Sequence, residues 1–382
     1  MRERKKAGNK ITFIRDAVFG DINVSDTAKG LIGDPHMQRL AQIKQLGFVS
    51  LVYPGANHTR FEHSLGTMEL TRQIALQTCC RGIEELECAG LLHDIGHAAF
   101  SHSSDSLLKK YLKTTHEKVG AEIIRKTTIR DRLSGAGLSV KRVLEYFSGR
   151  GKGAIVTGTL GSDRLDYLIR DAHYTGTTYG MIDYASIKNR MTLLNDHPAI
   201  YEKGVFSAEY MLVGRYSMFE SVYLHHTSLI AAGMYENAVS SAIDAGELSA
   251  DELRGFTDWE MLSRLTGGGS SSGLATRLVE RNLFKRAYHG RLEGSIKMAE
   301  LEGELGRLGL GEGDYIAKVI DMKGGSDDID VVDRDGRFVG RLTKISPLVG
   351  KLTSILSSKR ELLVGCDGRN VEKVGRAVRR LL

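Results

Sequence analysis

The chain carries 382 residues, 41% hydrophobic and 26% charged, with a formal net charge of +6 and a pI near 9.0. That composition excludes a disordered chain, and the length exceeds what one hydrophobic core organises, so two domains are expected. No apolar run reaches membrane-span length, and the opening "MRERKKAGNK" lacks the apolar stretch of a signal peptide. Cys79, Cys80, Cys88 and Cys366 show no CxxC spacing. The expectation is a cytoplasmic protein with no membrane partner, whose positive charge suits a polyanion or serves solubility alone.

In chain order, the first ten residues form a basic tail. Apolar spacing in "DPHMQRLAQIKQLG" predicts a helix stopped by Gly47. "YPGANHTRFEHS" reads as a turn that opens a long helix over 64–80, followed by a second over 83–96. Further helices are expected over 103–112, 116–126, 140–147 and 162–172, with a long one over 208–237. Strand-like alternation is nearly absent through residue 290, and "TGGGSSSG" reads as a surface loop between helices. Beyond residue 291 short strands are expected over 316–321, 329–333 and 337–342, the last two joined by a turn at Arg334-Asp335-Gly336. "ELLVGC" is another strand, and "NVEKVGRAVRRLL" is a basic amphipathic final helix. The fold class expected is mainly α: a helical domain over 1–290 and a small α/β domain over 291–382.

The chemistry concentrates in "LLHDIGHAAFSH", which crowds three histidines and an aspartate among residues that want burial. A His93-Asp94 pair suits a borderline or hard divalent metal. His63 opens the preceding helix, where an antiparallel pair brings it beside His93, and Asp163 starts a later helix that closes the set. Two imidazoles and two carboxylates leave coordination positions for water and substrate. A lone buried histidine is more often a hydrogen-bonded core residue, and an aspartate at a helix start is more often a cap. Six of the twelve histidines fall between His58 and His116, however, and such clustering argues for a shared purpose.

The stretches "QRLAQIKQLG", "YPGANHTRFEHSLG", "LLHDIGHAAFSHSSD", "THEKVG" and "SDRLDYLIRDAHYTG" resemble the HD-domain phosphohydrolases, and within them the deoxynucleoside triphosphate triphosphohydrolase branch. The resemblance covers about residues 16 to 180 and implies a helical HD core. By it, His63, His93, Asp94 and Asp163 are metal ligands, and Arg60 contacts phosphate. Arg164 stands where the family often has lysine. His102, Asp105 and His116 match a catalytic His–Asp–His group; His97, four residues after His93 and on the same face if the helix continues, reads as either a phosphate contact or a bond that supports a ligand. Tyr167 and Asp171 match positions lining a sugar pocket, Gln45 and Leu46 positions that read the sugar hydroxyl and pack on the ribose, and His225 a pocket histidine. The implied cofactor is a divalent ion (iron, manganese, magnesium, cobalt, nickel or zinc), with a second magnesium arriving with substrate.

The expected partners are a deoxynucleoside triphosphate substrate and further copies of the chain, the latter also because the 208–237 helix offers an apolar face. Two other readings use the same residues. One is a phosphoesterase acting on nucleoside monophosphates, cyclic nucleotides or nucleic-acid ends. The other is a nucleic-acid-binding or regulatory protein with a secondary HD site, supported by the basic tail and final helix.

Overall fold

The computed structural model describes residues 12–292, 294, 297–321 and 328–382. The basic tail lies outside them, and among them no helix is long and apolar enough to cross a membrane. The helix on which the site hangs begins with a capping box. The Thr59 side chain accepts from the Glu62 amide while the Glu62 carboxylate takes the Thr59 amide, so the helix runs from Arg60 to Gln77. It starts four residues before the expected position, and that places both Arg60 and His63 on its first turn.

Close approach of the neighbouring helices depends on two glycines. A Cβ at Gly90 would strike Thr71, and one at Gly66 would strike Asp166 and Arg170. Their absence lets the helices Ile83–Leu92 and Ser162–Thr175 lie directly against Arg60–Gln77. The second of the expected helices ends at Leu92 instead of Gly96. Beyond it the chain turns so that Ile95, Ala98, Ala99 and Phe100 enter the core. Phe100 and Ser101 take left-handed conformations, φ +57° and +56°, which fold the segment back on itself.

Other expectations need correction. The helix expected up to Gly47 stops at Arg39, followed by a 3₁₀ turn over Leu40–Gln42. Its backbone groups are claimed by residues 58–60: Gln45 donates to the His58 carbonyl at 3.0 Å and Arg60 to that of Ile43 at 2.9 Å. The long 208–237 helix is two helices, Val205–Met218 and His226–Asp244, separated by a π turn over Phe219–Tyr223. The π turn shifts the apolar register. The first helix therefore buries Met211 and Met218 in one core, and the second buries Met234 and Tyr235 in another. Part of the apolar face expected on this stretch is thus used inside the chain, while Phe206 and Tyr210 remain exposed.

Among the described residues five strands precede residue 292, against the expectation of almost none: β1 (Thr12–Asp16), β2 (Gly20–Val24), β3 (Met191–Leu194), β4 (His197–Tyr201) and β5 (Lys285–Arg291). Four follow: β6 (Tyr315–Asp321), β7 (Asp330–Val332), β8 (Phe338–Arg341) and β9 (Arg360–Cys366). β1 and β2 form a hairpin, and the larger sheets have the orders β3-β4-β7-β8 and β5-β9-β6. The expected β7–β8 hairpin is present, and "TGGGSSSG" does join two helices, Asp258–Thr266 and Ser272–Val279. The fold is mainly helical with a small C-terminal sheet region. A division at residue 291 would cut β5 from β9, and β4 from its parallel partner β7. It would also split two cores, since Ile316 and Leu363 pack with the His226–Asp244 helix and Val331 with the Val205–Met218 helix.

Candidate metal centre and active site

Three helix ends deliver four donors to one point. His63 lies on the first turn of Arg60–Gln77, His93 and Asp94 follow the last turn of Ile83–Leu92, and Asp163 lies on the first turn of Ser162–Thr175. His63 Nε2 is 3.0 Å from His93 Nε2 and 3.1 Å from Asp163 Oδ1. Asp94 Oδ2 lies 3.5 Å from His63 Nε2 and 3.4 Å from His93 Nε2. His93 Nε2 lies 3.6 Å from Asp163 Oδ1. The side chains of His63, His93 and Asp94 are 1%, 6% and 7% exposed, whereas Asp163, at 32%, opens the site to one side.

The protonation pattern tests whether these residues fit a metal. His93 Nδ1 is 2.8 Å from the Gly90 carbonyl, which only accepts, so Nδ1 carries the hydrogen. His63 Nδ1 is 2.6 Å from the Asp166 carboxylate and donates there. Both Nε2 atoms are thereby left to face each other and two carboxylate oxygens, a group that is held together by a shared cation, either a proton on one ring or a metal ion. Burial opposes a charge on His63, yet Asp163 and Asp166 outweigh it and push its pKa up to about 10. Burial likewise opposes the charge on Asp94, but Arg60, His93 and His97 hold this carboxyl well below its usual range. Donor separations of 3.0 to 3.6 Å are those found around an ion with ligands at about 2.0–2.2 Å. The residues fit a divalent metal with mixed nitrogen and oxygen ligands.

Behind these four side chains, Arg60 is almost wholly buried. Its Nη1 donates to Asp94 Oδ2 at 2.6 Å, its Nε to Ser101 Oγ at 3.0 Å and its Nη2 to the Gln45 carbonyl at 3.5 Å. His97 Nε2 is 3.3 Å from Asp94 Oδ1, and its ring stacks on His116 at 3.9 Å and 19°. Burial, and then Arg60, push the His97 pKa well down, so it is neutral. Its buried Nδ1 has no hydrogen-bond partner among the described residues. Beside it, Asp105 bridges two imidazoles, with Oδ2 2.9 Å from His102 Nδ1 and Oδ1 2.9 Å from His116 Nδ1. Burial opposes both charges of the Asp105–His116 pair, but their bond lowers the carboxyl pKa and raises that of the imidazole. The His102 side chain is 70% exposed and stands on the wall of a cavity of about 410 Å³.

That cavity is also lined by Gln45, Leu46, Arg60, Tyr167, Asp171 and Tyr223. Asp171 is held from two sides, by His58 Nε2 at 2.8 Å and the Tyr223 hydroxyl at 2.7 Å. The Gln45 side-chain oxygen is buried with no partner among the described residues. Burial raises the Tyr167 hydroxyl pKa, and the nearby Arg164 and Arg215 charges pull against that rise.

Residues 60–179 match the family model of the HD domain, and residues 182–305 match that of an HD-associated region. The chain belongs to the HD-domain phosphohydrolases. Among its relatives, an uncharacterized protein of Methanocaldococcus jannaschii is 35% identical over 71% of this chain and 58% of its own length. The deoxynucleoside triphosphate triphosphohydrolase SAMHD1 of Gallus gallus is 34% identical over 38% of this chain and 26% of its own. The chain thus spans little more than half of the first relative and a quarter of the second. The solved structure of a phosphohydrolase from Bacteroides thetaiotaomicron superposes with a TM-score of 0.76 at 26% identity, covering 93% of this chain and 99% of that one.

In this HD-domain phosphohydrolase, most of the residues singled out from sequence converge on one region. The exception is His225. It caps the His226–Asp244 helix, its Nδ1 accepting the Thr227 amide at 3.3 Å, and its ring stacks on His226. It is not on the cavity wall; Tyr223, two residues earlier, is. Arg60 borders the cavity while bonded to Asp94. Sequence reasoning also missed His58 and Asp166, although His58 sits inside the "YPGANHTRFEH" stretch and Asp166 inside "SDRLDYLIRD".

Proposed function

We propose that the chain hydrolyses deoxynucleoside triphosphates to nucleoside and tripolyphosphate. The observation that carries this reading is a single cavity of nucleoside size bordered by three elements at once. Arg60, which contacts the metal-ligand set, lies on it with His102 and the Gln45–Asp171–Tyr223 group. A divalent ion held by His63, His93, Asp94 and Asp163 would lower the pKa of bound water and polarise a phosphoryl oxygen. The protein's own residues supply the rest. Arg60, fixed by Asp94 and Ser101, and neutral His97, with a free Nδ1, face the phosphates.

Water adds to the α-phosphorus, the P–O5′ bond breaks, and His102 gives its proton to the departing 5′-oxygen. Asp105, 2.9 Å from its Nδ1, orients that imidazole. The proton that the attacking water loses replaces the one His102 gave, so deoxynucleoside triphosphate and water become nucleoside and tripolyphosphate. The similarity to the deoxynucleoside triphosphate triphosphohydrolase of Gallus gallus supports the same substrate class. The test is a panel of nucleotides with several divalent metals, with products identified by mass. Tripolyphosphate and nucleoside from deoxynucleoside triphosphates are expected. Faster turnover of monophosphates, cyclic nucleotides or nucleic-acid ends would overturn the assignment, and salt-sensitive nucleic-acid binding without turnover would favour a binding protein.

A further inference from the structure

We infer that Asp258 is a positioning residue for His102, acting through the backbone of residues 97–101. The inference rests on the proton-donor role proposed above. Asp258 opens the Asp258–Thr266 helix in the HD-associated region and is 4% exposed. Its two oxygens are spent on two distant backbone amides: Oδ1 accepts from Phe100 at 2.6 Å, and Oδ2 from Lys44 at 3.0 Å. Of the two nearby cations, Lys44 Nζ donates to Ser50 Oγ at 3.2 Å, and Arg39 donates to the carbonyls of His97 at 2.6 Å, Ile95 at 3.2 Å and Phe256 at 3.4 Å. One turn is therefore gripped from both sides, its carbonyls by a guanidinium and its amide by a carboxylate.

That grip falls where the backbone resists it. Phe100 and Ser101 are consecutive non-glycine residues with left-handed φ, a conformation that persists only where the surroundings impose it. Ser101 Oγ donates to the Lys44 carbonyl at 2.6 Å and accepts from Arg60 Nε at 3.0 Å. Asp258 thus joins the segment carrying Gln45 and Leu46 to the segment carrying Ser101 and His102. An amide in its place would present one oxygen and one N–H to two N–H donors, and could satisfy only one of them. A buried carboxylate is costly, so its presence points to a geometry that nothing neutral of that shape maintains.

The experiment compares wild type, His102→Ala and Asp258→Asn on two substrates. One is a deoxynucleoside triphosphate, and the other is its analogue with sulfur in place of the bridging 5′-oxygen. The sulfur leaves as a thiolate and needs no proton. Metal content is measured alongside. His102→Ala should lose turnover of the oxygen substrate and keep that of the sulfur one. Asp258→Asn should show the same selectivity, with about a 10- to 100-fold loss on oxygen and unchanged metal. Equal losses on both substrates, or none, for Asp258→Asn beside a selective His102→Ala would overturn the positioning role and leave the donor intact. A His102→Ala variant that loses both equally would overturn the donor reading itself. If Asp258→Asn does not fold, Arg39→Gln loosens the same turn from its other side. It is judged by the same ratio, and an unselective loss there overturns the proposal.

Discussion

His63 Nε2 and His93 Nε2 stand 3.0 Å apart, and each ring has already committed its Nδ1 hydrogen elsewhere. Two lone pairs at that distance repel unless a proton or a metal ion lies between them, so the hydrogen bonds behind the rings build a pair of Nε2 donors suited to a cation.

The support behind His63 extends this to a measurable consequence. Asp166 is fixed by Arg170, whose Nε and Nη2 each donate at 2.9 Å, and Arg170 is tied in turn to Asp16 at 2.8 Å. Asp166→Asn should weaken metal affinity by about 10- to 100-fold, because the ring loses its orientation and basicity. His93→Ala combined with Asp94→Ala should abolish binding. Elemental analysis after dialysis against a graded chelator checks both, and unchanged metal in the double variant would refute the ligand set.

Tyr223→Phe removes one of the two donors that hold Asp171. Losing a bond to a charged partner costs about 1.5–3 kcal/mol where the partner stays buried. The KM for the nucleotide should rise by about tenfold or more while metal content stays constant. An unchanged KM would detach Asp171 and Tyr223 from the substrate pocket.

Glu87 provides a pH prediction away from the site. Burial pushes its carboxyl up to about 7, with Arg72 opposing and Glu84 and Glu69 adding to the rise. The folded protein thus keeps a proton that the unfolded chain has released, so stability falls as pH climbs from about 4.5 through about 7. Glu87→Gln should be more stable than wild type at pH 8, by on the order of 3 kcal/mol, and nearly equal to it at pH 4. Denaturant unfolding at the two pH values checks this, and a gain of equal size at both would contradict it.

The site was legible in the sequence largely because its chemistry is local. "TRFEHSLG" carries its own cap and ligand, and "LLHDIGHAAFSH" carries four side chains of the centre within one turn-rich stretch. The helices His116–Lys126 and Val140–Phe147 follow their apolar periodicity to the residue. What escaped is non-local. β5, "KRAYHGR", has no readable alternation and exists because β9 pairs with it. The break at Phe219–Tyr223 is invisible where apolar residues continue through it. His225 and Tyr223 are near neighbours in sequence, and only packing decides which of them meets Asp171. Asp258 reads as an ordinary helix start, since the amides it holds are 158 and 214 residues away.

The central claim is that water attacks the α-phosphorus while His102 serves the 5′-oxygen. Hydrolysis of a deoxynucleoside triphosphate in water enriched in heavy oxygen tests it most directly, with both products weighed by mass spectrometry. The account predicts that the label enters an intact tripolyphosphate and that the nucleoside carries none. Label in the nucleoside would mean attack at the sugar carbon. Monophosphate with pyrophosphate, or diphosphate with phosphate, would place bond cleavage elsewhere in the chain of phosphates and contradict the triphosphohydrolase reading.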